Sequence, residues 1–124
     1  MAVKLKNDNY PEHLSYDLKE PYHYFRTHII DGQKLLLIGG ADHKTGHEDP
    51  QKAFEELEDY SRKYFEIEDI VYKWSSQYYV PVDGLPYIGQ LPMGAEATYV
   101  ATGFNGNGMI LGSLAGTIIS DLIL

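Results

Sequence analysis

No cysteine occurs in these 124 residues, which excludes disulfides, thiol catalysis and cysteine-ligated zinc or iron–sulfur clusters within them. Also absent is a G-x-G-x-x-G following a strand-type run, the fingerprint that seats a dinucleotide pyrophosphate on a helix N-terminus. Positive charge is scarce. Ten Lys and Arg against 18 Asp and Glu leave a net charge of −8, which argues against nucleic acid or an anionic membrane as partner. Arginine occurs only as Arg26 and Arg62. The opening MAVKLKNDNYP has no apolar h-region of a signal peptide, and a cytoplasmic setting is the expectation. A membrane span needs about 20 mostly apolar residues, and Ser113, Thr117, Ser120 and Asp121 interrupt the longest apolar run. No metal is expected: His43, His47 and Glu48 stand in a polar loop, where such groups are ordinarily solvated.

What is present suits a folded α+β chain. Hydrophobic residues make up 44% of it, enough for a real core at this length. Eleven tyrosines and the single Trp74 fit β-strands and the walls of a small-molecule pocket. Residues 1–21 are polar and aperiodic, and read as a mobile or edge segment with a short strand near Leu14–Leu18. Pro21–Ile30 and Gln33–Gly40 read as two strands joined by Asp31-Gly32, the preferred pair for a type I′ hairpin. Asp49-Pro50 is a helix start, an N-cap acid followed by proline at the first helical position. Ala53, Phe54, Leu57, Tyr60 and Tyr64 then mark one face of an amphipathic helix ending near Phe65, with acids mostly on the other. The acids make a solvated face rather than an acid–base pair. From Glu68 to Val82 apolar and polar residues alternate with a period of two, predicting extended chain. Asp83-Gly84 and Met93–Ala97 read as turns.

The most informative stretch is the last, Thr98–Leu124. The β-type run Tyr99–Thr102 meets Gly103-Phe104-Asn105-Gly106-Asn107-Gly108, and an apolar helix follows. Strand, glycine turn and helix together point free backbone N–H groups past the strand end. The glycines permit positive φ and close approach of a ligand. Taken alone, this is either a cofactor or anion turn or an ordinary tight connection. Gly108, Gly112 and Gly116 recur every fourth residue. Each interior glycine costs up to about 1 kcal/mol against alanine, which close approach of another backbone or a flat ligand would offset.

D-G-L-P-Y-I-G at 83–89, followed by Y-V-A-T-G-F-N-G-N-G-M-I at 99–110 and a small-residue helix, resembles the D-amino acid oxidase superfamily of FAD-dependent oxidoreductases. G-G-A-D-H-K-T-G at 39–46 is similar to the branch whose full-length members carry a Rieske iron–sulfur domain. The resemblance covers roughly residues 22–124. It implies an internal fragment: an α+β piece whose mainly antiparallel sheet packs against the amphipathic helix, ending in the strand, glycine turn and helix. Residues 22–92 would form a domain of the substrate-binding type, and 93–124 would return to an FAD-binding domain that these residues do not contain. Gly103, Phe104, Asn105, Gly106, Asn107, Gly108 and Met109 would border the flavin ring. There, N–H groups and a helix N-terminus stabilise the negative charge that arrives with the electrons.

The implied substrate is a small amine or amino acid, oxidised at its C–N bond by hydride transfer to FAD. Tyr87 would face it, while Arg26 would either pair with its carboxylate or make a structural salt bridge. The catalytic residues are not legible. The fragment alone is expected to be inactive, to bind FAD weakly and to self-associate through its apolar helix. The competing reading is a non-enzymatic module using the glycine turn or a sheet edge for an anion or a partner.

Overall fold

A computed structural model describes residues 1–94 and 96–124. In chain order the elements are β1 (Ala2–Leu5), β2 (Ser15–Tyr16), β3 (Tyr24–Ile30), β4 (Gln33–Gly39), α1 (Pro50–Arg62), β5 (Ile67–Tyr72), β6 (Tyr87–Gln90), β7 (Tyr99–Thr102) and α2 (Gly108–Ile123). They form two compact units, Met1–Ser75 and Ser76–Leu124. The division falls inside the range 22–92 read above as one domain.

The first unit is a five-stranded sheet in the order β2-β3-β4-β1-β5, antiparallel throughout. The hairpin forms as the Asp-Gly pair predicts. Tyr24 to Ile30 pair with Gly39 to Gln33, and Asp31 (φ 50°) and Gly32 (φ 77°) both take the left-handed conformation that a type I′ turn requires.

Helix α1 starts where its cap signal stands: the Asp49 carboxylate accepts from the Gln51 N–H at 2.9 Å. Leu57 from this helix joins Met1, Val3, Leu5, Leu36, Ile38 and Ile67 in the core, with Phe25 and Phe65 packed against it. The outer acids meet cations along the helix surface, and Glu58 pairs with Arg62 at 2.9 Å and with Lys73 at 3.2 Å.

Two expectations fail, the first in part. The short strand expected near Leu14–Leu18 forms as β2 at the sheet edge, but the start of the chain is neither mobile nor an edge: β1 lies inside the sheet, between β4 and β5. Ala2 and Val3 are wholly buried and Leu5 nearly so. The strand is short, contains Lys4 and is followed by Lys6, which hides it. Lys4 keeps its amine at the surface, 2.8 Å from Glu68, while the stem of such a side chain covers apolar neighbours. The second failure is the extended run. The ladder ends at Tyr72, and 73–80 have no regular structure despite their alternation. Both alternate sets there carry aromatics, so neither offers one dry face to bury. Trp74 in this stretch is 53% exposed.

A polar knot ties α1 to the sheet. The Asp17 carboxylate accepts from the His23 N–H (2.8 Å) and the Tyr60 hydroxyl (2.8 Å), and lies 3.0 Å from His23 Nδ1. The His23 and Tyr60 rings stack at 3.6 Å. A Cβ on Gly40 would come within 2.5 Å of the His23 ring, so glycine there makes room for the stack. Burial pushes the Asp17 carboxyl up, but the hydrogen bonds from His23, Tyr60 and Lys19 outweigh it and hold the group far below the usual carboxylate range. Burial first, and then the bond to Asp17, push the Tyr60 phenol up to about 12.

In the second unit β6 and β7 pair antiparallel, Tyr87 opposite Thr102 and Gln90 opposite Tyr99. Helix α2 lies against these two strands. It buries Ala115 and leaves Met109, Ile110, Leu114, Leu122 and Ile123 exposed. Of the expected turn at Met93–Ala97, Ala95 lies outside the described residues; Met93 and Ala97 both have φ 60°. No helix among the described residues is long and apolar enough to cross a membrane.

The knot has a pH signature. A depressed Asp17 contributes stability that is present above its unfolded value of 3.8 and is lost as pH falls below it. A raised Tyr60 contributes stability that is complete below 10.0 and is lost as pH rises through about 12. Urea midpoints measured across pH should show both losses. Tyr60→Phe should lower the plateau and shrink the alkaline loss, and an unchanged profile would mean that the knot carries no stability.

Candidate functional site

The glycine turn joins the end of β7 to the start of α2. Gly103 is buried with φ 74°, Asn105 has φ 46° and Gly106 φ 79°. Three left-handed residues in four turn the chain sharply enough for Asn107 N–H to donate back to the Phe104 carbonyl at 2.8 Å. The turn is walled by its own unit. A Cβ on Gly103 would sit 3.4 Å from the Leu85 carbonyl and from the Tyr87 ring, and 3.5 Å from Pro81. The Tyr78 ring lies over Gly106, 3.8 Å from where a Cβ would be.

Asn107 is the residue before α2, but its side chain does not cap the helix. Its Nδ2 donates instead to the Asn105 carbonyl at 3.3 Å. Without a side-chain cap, the first-turn N–H groups of α2 remain directed outward, with the partial positive charge of a helix N-terminus behind them. A Cβ on Gly108, Gly112 or Gly116 would meet nothing within 4 Å. The smooth stripe of α2 therefore faces open space within this chain.

Beside the turn stands the 83–87 segment. Asp83 Oδ1 accepts from the Leu85 N–H at 3.1 Å, and Gly84 takes φ 74° to close that bend. Asp83 Oδ2 accepts from the Tyr87 hydroxyl at 2.8 Å. The Leu85 N–H and the Tyr87 hydroxyl hold the Asp83 carboxyl below its ordinary value, and that same bond pushes the Tyr87 phenol up. From sequence Asp83 has only a turn-shaping part; its bond to Tyr87, four residues on, depends on how the 83–87 bend turns the two side chains toward each other. Gly103 to Met109 and Tyr87 are thus brought together in the second unit.

Arg26 belongs to the first unit. It lies in β3 in the same alternate set as Tyr24 and His28, and all three are exposed. Phe25, in the other set, packs on the core beneath α1, so Arg26 is on the sheet face away from that helix. Among the described residues Arg26 makes no salt bridge. The Tyr24 ring crosses Gly39 so closely that a Cβ there would collide with it, and Tyr22 lies against Tyr24 with ring centres 6.2 Å apart. His43 makes a local contact, its Nδ1 3.2 Å from the Ala41 carbonyl.

A family model described as FAD dependent oxidoreductase matches residues 2–122. The chain belongs to that family. It is also 35% identical over 124 residues to the Bacillus subtilis (strain 168) protein named "Putative Rieske 2Fe-2S iron-sulfur protein YhfW". The match covers 99% of this chain but only 24% of that protein. No solved structure matches this chain.

The residues fit one end of the family's cofactor. The outward N–H groups, the absence of a capping side chain and the glycines that leave the surface of α2 flat suit an aromatic ring with an electron-rich edge. The adenosine and pyrophosphate end has no counterpart, because no dinucleotide fingerprint occurs in the sequence. Gly103→Ala should destabilise the second unit by about 1–2 kcal/mol, since alanine resists the left-handed conformation. Gly112→Ala should instead stabilise it by about 0.5–1 kcal/mol, because a Cβ there fits and helix propensity rises. Paired urea melts of the two variants check the opposite signs.

Proposed function

We propose that this chain is the part of an FAD-dependent oxidoreductase that borders the flavin ring and builds the substrate wall, in an enzyme that oxidises the C–N bond of an amine or amino acid. The observation that carries this reading is the uncapped N-terminus of α2 behind the left-handed turn, next to the Asp83–Tyr87 pair. FAD, when bound, would accept the two electrons of such an oxidation as a hydride.

The chain's own groups have separate tasks. The turn from Gly103 to Met109 borders the ring, and its backbone N–H groups, apart from that of Asn107, which is spent on the Phe104 carbonyl, supply fixed dipoles where negative charge develops, at no cost in reorganisation. Tyr87 contacts the substrate. Arg26, exposed and without a salt-bridge partner among the described residues, offers a planar guanidinium for a substrate carboxylate. Residues 93–124 would return the chain to an FAD-binding domain, and the bare stripe of α2 is the surface we assign to that contact. A Rieske domain as a further part of the longer protein is supported by the name of the Bacillus subtilis relative.

By this division of labour, residues 1–124 alone should lack oxidase activity and bind FAD only weakly. The nucleotide half would rest elsewhere, and its binding energy cannot be recovered at the ring edge. Titrating FAD into this chain, and into the same chain joined to an FAD-binding domain of the same family, tests the reading. Tight flavin retention is expected only in the joined protein. A yellow, flavin-loaded preparation of residues 1–124 would overturn the division.

The same argument makes the chain self-associate when alone. Fully burying each exposed apolar side chain of α2 is worth roughly 1.5–3 kcal/mol, and pairing two copies is the simplest closure. Sedimentation equilibrium should find a dimer. A well-behaved monomer at high concentration would mean that this surface needs no cover.

A further inference from the structure

We propose that Asp83 and Tyr87 act as one recognition unit at the mouth of the glycine turn, taking the cationic amine end of the substrate rather than a carboxylate or carbonyl. This rests on the flavin-bordering reading given above and narrows it to the group that faces Tyr87. The argument is one of proton inventory. A tyrosine hydroxyl has a single hydrogen and two acceptor lone pairs. Here that hydrogen is committed to Asp83 Oδ2 at 2.8 Å. A hydroxyl bonded to a carboxylate makes a hydrogen bond roughly twice as strong as a neutral one, so the proton does not turn toward a competing acceptor. What Tyr87 has left to offer is an acceptor, and only a donor can use it.

The geometry is fixed from both sides. Asp83 is held by the Leu85 N–H through its other oxygen. The Tyr87 ring is held by its cross-strand place opposite Thr102 and by the wall of Gly103. Tyr87 is nevertheless 50% exposed, so a small molecule can reach it.

Charge points the same way. No lysine or arginine pairs with Asp83 among the described residues. Asp83 is ionised and Tyr87 neutral at ordinary pH, so the pair keeps one negative charge with no cation spent on it. An ammonium brings both the donor and the opposite charge. A carboxylate brings neither and is repelled. Tyr87 therefore binds the substrate, whereas Asp83 is a positioning residue that acts through it.

The test needs no flavin, so its failure is separate from failure of the FAD titration above. The 124-residue chain is labelled with [13Cζ]tyrosine, and the Tyr87 resonance is assigned by its disappearance in Tyr87→Phe. In the wild type this phenol should titrate above an ordinary tyrosine, and Asp83→Asn, which keeps the shape and removes the charge, should return it toward that value. Ethylammonium chloride should then displace the Tyr87 resonance, while sodium acetate at the same ionic strength should not. Asp83→Asn should weaken the ethylammonium response about tenfold, because it removes the negative charge behind the Tyr87 oxygen and loosens the bond that holds the hydroxyl hydrogen away from the ligand. A structural role alone predicts no such difference between the two salts. Equal displacement by both, a stronger response to acetate, or no response to ethylammonium overturns the proposal.

Discussion

Strand β1 is the constraint on which the first unit depends. It is only four residues long, yet it is the sole link in the sheet order between the β2-β3-β4 side and β5. Its pairing is not a simple ladder. Val3 meets Leu36 on one side and Ile70 on the other, and the register against β5 shifts between Ala2 and Val3 and again between Lys4 and Leu5. Bulges of this kind bend a strand and increase its twist. Here the extra residues, Val71 and Glu68, are on β5, so six residues of β5 run along four of β1, while Val3 and Leu5, two apart, share the face under α1.

The second unit is under a different constraint, a helix start left without a side-chain cap. Every N–H at a helix start wants a partner, and Asn107 is a residue type well suited to cap. Its side chain turns instead to the Asn105 carbonyl, so the turn satisfies itself and leaves the helix end bare. The left-handed residues at 103, 105 and 106 supply the geometry. Gly103 permits the close passage of the 81–87 segment that brings Asp83 and Tyr87 alongside. Backbone conformation, more than side-chain chemistry, assembles this site.

Much of this was legible in the sequence, for reasons that can be named. The Asp31-Gly32 hairpin and the Asp49-Pro50 helix start are local signals, decided by residues adjacent in sequence, and the structure has both. The Tyr99–Thr102 strand and the helix after the glycine turn are local in the same sense. Strand β1 is not legible because four residues, one of them Lys4, carry too little periodicity to detect. Its identity comes from partners more than 30 residues away. Alternation beyond Tyr72 misled because a period of two is necessary for a strand but does not supply a neighbour. The Asp17–His23–Tyr60 knot unites groups up to 43 residues apart. No spacing rule reaches that far. At the site, the glycines announced the turn, while the bond that ties Asp83 to Tyr87 had to wait for the coordinates.

Trp74, the single tryptophan of the chain, has a practical consequence for any spectroscopic work on it. It lies in the irregular stretch after β5, next to the boundary between the two units, and is half exposed. Its emission therefore reports mainly the surroundings of the connecting segment, not the buried core of the first unit, of which Trp74 is no part. Fluorescence and circular dichroism will follow different events during unfolding, the first the junction and the second the sheet and helices. Their disagreement would measure how far the junction loosens ahead of the units it joins.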